Sequence, residues 1–391
     1  MRDPKRLSLL GATGSIGTQT LDEVRTLTAR GYPIEVVALA AGRSVEALAR
    51  LAREFSPGLV SVADEQAAAA IQPLLPPGVR LVWGREGLAE AASCPEADLV
   101  LNAVVGAQGI YATLAALEAG KALALANKES LVVGGELVLA AMRRPGQIIP
   151  VDSEHAALYQ LLGGVDRGQL ARAWITASGG AFRDLSPEEL EQVTPEQALR
   201  HPTWRMGPRI TVDSATLVNK AFEVIEAKYL FGLSWNEIGV VLHPQSIVHA
   251  LVELVDGSFL AQLAAPDMRL PIRAALTHPL RLGPSPAPLS PFGLSLEFRE
   301  LPAGRYPAFE VVLGAGRAGG TAPAVANAAD EVLVAAFLAE KIPFTAIAAG
   351  LEWVLSRHRP TRINSLSDVE RADSWARGEA ERFVELSGKA V

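Results

Sequence analysis

A single cysteine, Cys94, excludes an intramolecular disulfide framework. It stands before Pro95 with no motif around it, which reads as a structural thiol and not a nucleophile. No uninterrupted apolar segment is long enough to span a bilayer, so no membrane helix is expected. Positive charge is not in excess: 36 Lys and Arg against 43 Asp and Glu leave a net charge of −7, which argues against nucleic acid as the main partner. Room for a targeting segment is also lacking, because Met1–Arg6 runs straight into a strand, and the cytoplasm is the expected compartment. What is plentiful is apolar: 49% hydrophobic and 20% charged residues mark a folded protein with well-buried interiors. At 391 residues the chain is too long for one small core, and two or three domains are expected.

The first 150 residues alternate short apolar runs with helical patterns. Leu7–Leu10 flows into Gly11-Ala12-Thr13-Gly14-Ser15-Ile16-Gly17, and a segment with Leu21, Val24 and Leu27 at helical spacing follows. Strand, glycine turn and helix form the context in which a pyrophosphate sits on a helix N-terminus, although the spacing is G-x-x-G-x-x-G and a plain tight turn remains the alternative. The next strand, Ile34–Leu39, leads to Gly42-Arg43-Ser44. An NAD site usually places an acid there, whereas a guanidinium and a hydroxyl suit the 2′-phosphate of NADPH. Helix 45–55, strand 59–62, a helix near 65–75, strand 79–82, a strand from Asp98 to a turn at Gly106, helix 110–119 and strand 122–126 continue the alternation. This predicts a Rossmann-like, doubly wound parallel sheet with ligands at the carboxyl ends of its strands. Asn127-Lys128-Glu129-Ser130 lies at such an end: either a helix start capped by Asn127 or Ser130, or a site where Lys128 meets a carbonyl or metal.

Two stretches carry acids. Gln147–Val151 is an apolar run ending in Asp152-Ser153-Glu154-His155. Read as extended chain, it points Asp152 and Glu154 to one side, as hard oxygen ligands for Mg2+ or Mn2+. Read as a helix start, it makes Asp152 or Ser153 an N-cap. Further on, Val212-Asp213-Ser214-Ala215-Thr216 enters a helix over 217–230 with Val218, Ala221, Phe222, Ile225 and Tyr229 on its apolar face. Asn219, Glu223 and Glu226 line the other face, where a solvated Lys220–Glu223 pair is the ordinary expectation. The functional reading makes Ser214, Asn219 and Lys220 a phosphate cradle and Glu223 a third metal carboxylate. Upstream, Ile175–Gly180 reads as a strand entering a small-residue turn able to receive an anion. His201-Pro202-Thr203-Trp204-Arg205-Met206-Gly207 reads as a lid: bulky apolar side chains bounded by breakers.

The segments 11–17, 127–130, 150–155, 178–180, 201–207 and 212–226, in that order and over essentially the whole chain, resemble the 1-deoxy-D-xylulose 5-phosphate reductoisomerase family of the methylerythritol phosphate route to isoprenoids. The resemblance implies that Asp152, Glu154 and Glu223 ligate Mg2+ or Mn2+, with Co2+ a further candidate. It implies Ser178, Ser214, Asn219 and Lys220 at the substrate phosphate, Lys128, Ser153, Glu154, Glu223 and His201 around the sugar, and Trp204 as its cover. It assigns Thr13, Gly14, Ser15, Ile16, Gly42, Arg43, Ser44, Asn127, Glu129 and Gly207 to NADPH, with Met206 and Met268 near the nicotinamide. Lys128, Glu154 and His201 are the catalytic candidates, the first two for proton transfer. Two departures stand out: Ser44 where an asparagine is common, and Arg205 at a lid position that is small in some relatives. The implied reaction rearranges 1-deoxy-D-xylulose 5-phosphate to a branched aldehyde and reduces it to 2-C-methyl-D-erythritol 4-phosphate, in a homodimer.

The rest of the chain reads as support. His243 and His249, six apart, do not have a helical metal spacing and read as structural. Residues 240–249 and 258–263 read as strands, and prolines 279, 284, 286, 288 and 291 mark a semi-rigid connector. Helical patterns over 309–318, 322–340, 344–355 and 367–386 predict a C-terminal bundle. The expected division is an NADPH-binding domain over 1–150, an α+β catalytic domain with a mostly open sheet over 151–278, a linker over 279–308 and helices over 309–391. Two other functions stand beside the family's. A semialdehyde-type dehydrogenase would need Cys94 as nucleophile. A regulatory protein that binds NADPH without turnover would leave three carboxylates without a task.

Overall fold

Runs of three to seven apolar residues, each followed by a helix, can bury both faces only as a parallel sheet covered on two sides. The computed structural model, which describes residues 3–204, 206–283 and 288–388, has that arrangement in its first part; Arg205, Pro284 and Pro286 lie outside the described residues. Strands β1 (Lys5–Leu10), β2 (Ile34–Ala40), β3 (Leu59–Val62), β4 (Arg80–Trp83), β5 (Leu99–Asn102), β6 (Ala122–Leu125) and β7 (Ile148–Pro150) form one sheet in the order β4-β3-β2-β1-β5-β6-β7. All six pairings are parallel. The order reverses between β1 and β5, so the switch point where such sheets bind ligands lies at the carboxyl ends of those two strands. Leu7, Leu9, Leu39, Val60, Leu99 and Leu101 are buried in the core between sheet and helices.

The chain divides into two compact units, the first of Met1–Ser130, Val138–Ala156 and Asp267–Ala287, the second of Leu131–Leu137, Ala157–Pro266 and Pro288–Val391. In the first, helix Arg269–Thr277 packs on helix Ser15–Ala29, and Arg273 bonds Glu23 at 2.6 Å with both side chains buried. The second unit is built on β8 (Leu170–Ala177), β9 (Ile238–Leu242), β10 (Val248–Leu254) and β11 (Phe259–Leu263), in the order β11-β10-β8-β9. Only β8 and β9 run parallel. Helices Pro307–Ala318, Ala322–Leu338, Ala346–Arg357 and Leu366–Gly388 follow, as their patterning predicts. No helix among the described residues is long and apolar enough to cross a membrane.

Three expectations are corrected. Helix Gly84–Ala92 has no counterpart in the sequence reading, because two glycines dilute its pattern; Gly87 is there because it packs against Val82, 3.0 Å from where a Cβ would be. Of the two readings of Asp152–Glu154 the helix start holds and the extended chain does not: a helix runs Ser153–Leu162, Glu154 lies in its first turn, and the Asp152 carbonyl accepts the Ala156 N–H at 2.8 Å. Finally, the polar face of helix Val218–Phe231 is not solvated, since Lys220, Glu223 and Glu226 are 4%, 2% and 1% exposed.

Candidate active site

The first unit gathers its candidates at the carboxyl edge of the parallel sheet. Thr13–Ile16 follow β1, Gly42–Ser44 follow β2, Asn127–Glu129 follow β6, and Asp152–Glu154 follow β7. The glycine turn is shaped by steric need. A Cβ on Gly17 would lie 2.2 Å from the Gly11 carbonyl oxygen, so the turn closes only with hydrogen at that position. Gly14 caps helix Ser15–Ala29 without any side-chain hydrogen bond, leaving the start of a 15-residue helix to face an anion with its own N–H groups. Arg43 is 81% exposed at the side chain and donates its Nε to Asp64 at 2.9 Å. The backbone N–H of Ala67 and the Arg43 guanidinium hold the Asp64 carboxyl below its usual range. Asp64 thus aims the arginine while capping the next helix.

Asn127 is fixed by a buried chain of polar groups. Asn102 donates to Thr113 Oγ1 and to the Gly109 carbonyl, both at 2.9 Å; Thr113 donates to Ser130 Oγ at 2.9 Å; and Ser130 donates to Asn127 Oδ1 through both its hydroxyl and, at 3.1 Å, its N–H. The Asn127 amide donates on to Glu129 Oε2 at 2.9 Å. The capping role expected of Asn127 is therefore real and coexists with a constrained position on the sheet edge. Beside it Lys128, 7% exposed, places Nζ 2.5 Å from Asp152 Oδ2. His155 Nδ1 lies 3.4 Å from Asp152 Oδ1, and Ser153 donates to Glu154 Oε2 at 2.5 Å. Two carboxylates, an ammonium and a hydroxyl at one helix start make a donor set suited to a hard cation and to proton transfer.

The second unit gathers the other candidates. The turn after β8 puts Ser178 Oγ 3.0 Å from His201 Nε2. His201 Nδ1 accepts the N–H groups of Thr203 and Trp204 at 3.1 and 2.9 Å, so the proton of the neutral ring is on Nε2 and is donated to Ser178. Burial, with the Arg183 charge second, lowers the pKa of His201 to about 4, which keeps the ring neutral at physiological pH. Trp204 tilts against His249 at 6.2 Å between ring centres. Gly180, at φ +72°, lies where a Cβ would stand 2.5 Å from the Ser214 carbonyl oxygen, so the Ser178 turn and Ser214 meet through this glycine. Leu217, at φ +58°, breaks helix Pro208–Thr216 from helix Val218–Phe231, whose first turn carries Asn219 and Lys220. Both bond Glu223: Asn219 Nδ2 at 2.5 Å, and Lys220 Nζ as a buried ion pair. His243 is structural as expected, accepting the N–H groups of Ile247 and Val248 and donating to the Glu297 carbonyl.

The chemistry of Cys94 argues against a thiol enzyme. Its side chain is buried, burial pushes the thiol pKa up, and Sγ donates to Glu96 at 3.1 Å. Sequence reasoning also passed over Asn102 and Thr113, whose only signal was polar residues at the end of a buried strand and inside an apolar helix.

The family model of 1-deoxy-D-xylulose 5-phosphate reductoisomerase matches residues 7–135, that of its C-terminal domain 148–231, and that of a further DXP reductoisomerase C-terminal domain 263–379. The chain is 50% identical over 376 residues to the 1-deoxy-D-xylulose 5-phosphate reductoisomerase of Geobacillus kaustophilus, covering 95% of this chain and 98% of that one. The enzyme of the same name from Symbiobacterium thermophilum is 50% identical over 383 residues, 96% of this chain and 98% of that one. Among solved structures, the Zymomonas mobilis reductoisomerase in complex with NADPH superposes with a TM-score of 0.90 at 41% identity, covering 98% of this chain and 100% of that one. A reductoisomerase in complex with NADPH, fosmidomycin and magnesium gives 0.90 at 38% identity, with 98% of each chain covered. Fold and likeness together define a Rossmann-like, NADP-dependent oxidoreductase. Neither a thiol dehydrogenase nor a binding protein without turnover accounts for these matches. The chain belongs to the 1-deoxy-D-xylulose 5-phosphate reductoisomerase family.

Proposed function

We infer that this protein isomerises and reduces 1-deoxy-D-xylulose 5-phosphate to 2-C-methyl-D-erythritol 4-phosphate, using NADPH and a divalent metal, Mg2+ or Mn2+, with Co2+ a further candidate. The observation that carries the reading is the start of helix Val218–Phe231, where a buried ammonium and a buried carboxylate stand one turn apart. Lys220 neutralises Glu223 inside the fold, and these two charges are the ones assigned to the substrate phosphate and to the metal. Asp152, Glu154 and Glu223 would hold the ion, a wholly oxygen set that fits Mg2+ or Mn2+ better than a soft metal. Ser178, Ser214, Asn219 and Lys220 would hold the phosphate. Thr13, Gly14, Ser15, Ile16, Gly42, Arg43, Ser44, Asn127, Glu129 and Gly207 would hold NADPH.

When bound, NADPH supplies the hydride and the metal supplies Lewis acidity at the ketone and its neighbouring hydroxyl. The chain's own residues do the rest. Lys128 holds a proton on Nζ beside Asp152, and Glu154, which accepts from Ser153, can take one from a sugar hydroxyl. His201, neutral with its proton on Nε2, can donate to a sugar oxygen but cannot act as a base through that nitrogen. Trp204 covers the sugar, and the loop from His201 to Gly207 excludes water from an aldehyde that must not escape.

In domain terms, 1–150 binds NADPH, 151–278 carries metal and substrate groups, 279–308 links, and 309–391 packs. A homodimer is supported by β11, an edge strand with Phe259, Leu260 and Leu263 54%, 40% and 39% exposed, a face suited to a second copy. A single buried thiol suits the reducing cytoplasm. The test is NADPH oxidation by the purified protein on adding the sugar phosphate, with and without Mg2+, on a sample whose mass is read by light scattering. Metal-dependent turnover at twice the chain mass is expected. Metal-independent turnover, or none, contradicts the reaction, and a monomer contradicts the assembly.

A further inference from the structure

Strands β2 and β3 are parallel neighbours with Ala40 beside Ser61, and the chain leaves both strands in step. The Ala41 N–H donates to the Ser61 carbonyl at 3.0 Å, and the Ala63 N–H donates to the Gly42 carbonyl at 3.3 Å. Arg43 and Asp64 come next along the two chains. The arginine assigned to the adenosine end of NADPH therefore faces an acid 21 residues away in sequence. A dinucleotide site that takes NAD has its acid after β2, free to accept the ribose hydroxyl. Here the acid follows β3 and is taken up by the arginine.

Asp64 is the anchored member of this pair. Its Oδ1 accepts the Ala67 N–H at 2.9 Å as the cap of helix Glu65–Ile71, while Oδ2 accepts Arg43 Nε at 2.9 Å. Its side chain is 33% exposed against 81% for Arg43, so the arginine is the partner that needs holding. An ion pair this exposed adds little stability. What it adds is direction. Only Nε of the guanidinium is spent, and Nη1 and Nη2 bond nothing among the described residues. The Ser44 hydroxyl also bonds nothing among the described residues, and helix Val45–Phe55 starts behind it with no side-chain cap. A planar fork of donors beside a hydroxyl fits a phosphate monoester.

We propose that Asp64 is a positioning residue for cofactor choice: by holding Arg43 through Nε it presents the Nη groups to the 2′-phosphate, and so sets the preference for NADPH over NADH while touching neither. The proposal rests on the assignment of Arg43 to that phosphate. Charge and aim act here with opposite signs. By charge alone, removing a carboxylate beside an anion site tightens NADPH binding. By aim, it weakens binding, because a long side chain must then be ordered at the moment the cofactor arrives.

The test is calorimetric titration of NADPH, and separately of NADH, into the full-length protein and its Arg43→Ala, Asp64→Asn and doubly substituted variants. An asparagine at 64 can still cap the helix through its carbonyl oxygen but offers Arg43 no charge. Asp64→Asn is expected to raise the Kd for NADPH about fivefold and to leave that for NADH within about twofold. In the Arg43→Ala background the same substitution is expected to weaken nothing further, because Asp64 acts only through the arginine. Unchanged or tighter NADPH binding in Asp64→Asn, where Arg43→Ala weakens it, overturns the positioning role alone. An equal loss for both cofactors overturns it too, since the loop has then moved as a whole, and so does an added loss in the double variant. An Arg43→Ala protein that binds NADPH as the native one does removes the phosphate assignment, and the proposal with it.

Discussion

Under the proposed assignments, the edge of the parallel sheet and the start of helix Val218–Phe231 would receive phosphates by opposite means. At the sheet edge the work is done by backbone: a turn that closes only because Gly17 lacks a Cβ, and a helix N-terminus whose N–H groups meet no side-chain cap. At the helix start it would be done by side chains, with a half-buried Asn219 tied to the buried Lys220–Glu223 pair and Ser214 brought to the Ser178 turn by Gly180. A backbone site depends on local sequence and tolerates variation in its side chains. A side-chain site depends on charges taken out of water, where each is tolerable only while its partner is present.

That contrast can be broken at its strongest point by Gly17→Ala. A methyl 2.2 Å from a backbone oxygen cannot be relieved by rotating a side chain, so the turn must move. The expected loss is about 2–3 kcal/mol of stability and more than about tenfold in NADPH affinity, read by thermal unfolding and by quenching of protein fluorescence. Native affinity in that variant would mean that the turn is not what receives the pyrophosphate.

A smaller effect sharpens the side-chain half. The pKa of His201 is lowered in the folded protein to about 4, whereas the unfolded chain takes up the proton near 6.5. The stabilising contribution is therefore complete above about pH 6.5 and is lost as pH falls toward 4. Titration of the ring by NMR should give a midpoint near 4, and the rate profile from pH 6 to 8 should carry no step from this histidine. A midpoint near 6.5 would show that the ring is not buried beside Arg183 in solution.

The same contrast explains what could be read before the structure. The strands of the parallel sheet, the glycine turn and the C-terminal helices were legible because each rests on a pattern within a dozen neighbouring residues. Helix Gly84–Ala92 was not, since its glycines serve packing against Val82 and not helix propensity. The acids were recognisable by motif, but the motif left their local geometry open between two readings: Asp152 and Glu154 bracket a helix start and do not alternate along a strand. The burial of both faces of helix Val218–Phe231 also escaped a periodicity argument, because Glu223 and Glu226 look like a solvated face until their surroundings are known. The bonds of Arg209 to Asn327, Asp330 and Glu331 were invisible for the plainest reason, that these partners lie more than a hundred residues away.

The proposed reaction requires Asp152, Glu154 and Glu223 to hold one divalent ion. The most direct measurement is Mn2+ binding, followed by electron paramagnetic resonance, to the native protein and to Glu223→Gln, with folding checked by thermal unfolding. One tight Mn2+ per chain, weakened about 100-fold or more in the variant while cooperative unfolding persists, is the expected result. Undiminished Mn2+ binding in a folded Glu223→Gln protein would contradict it.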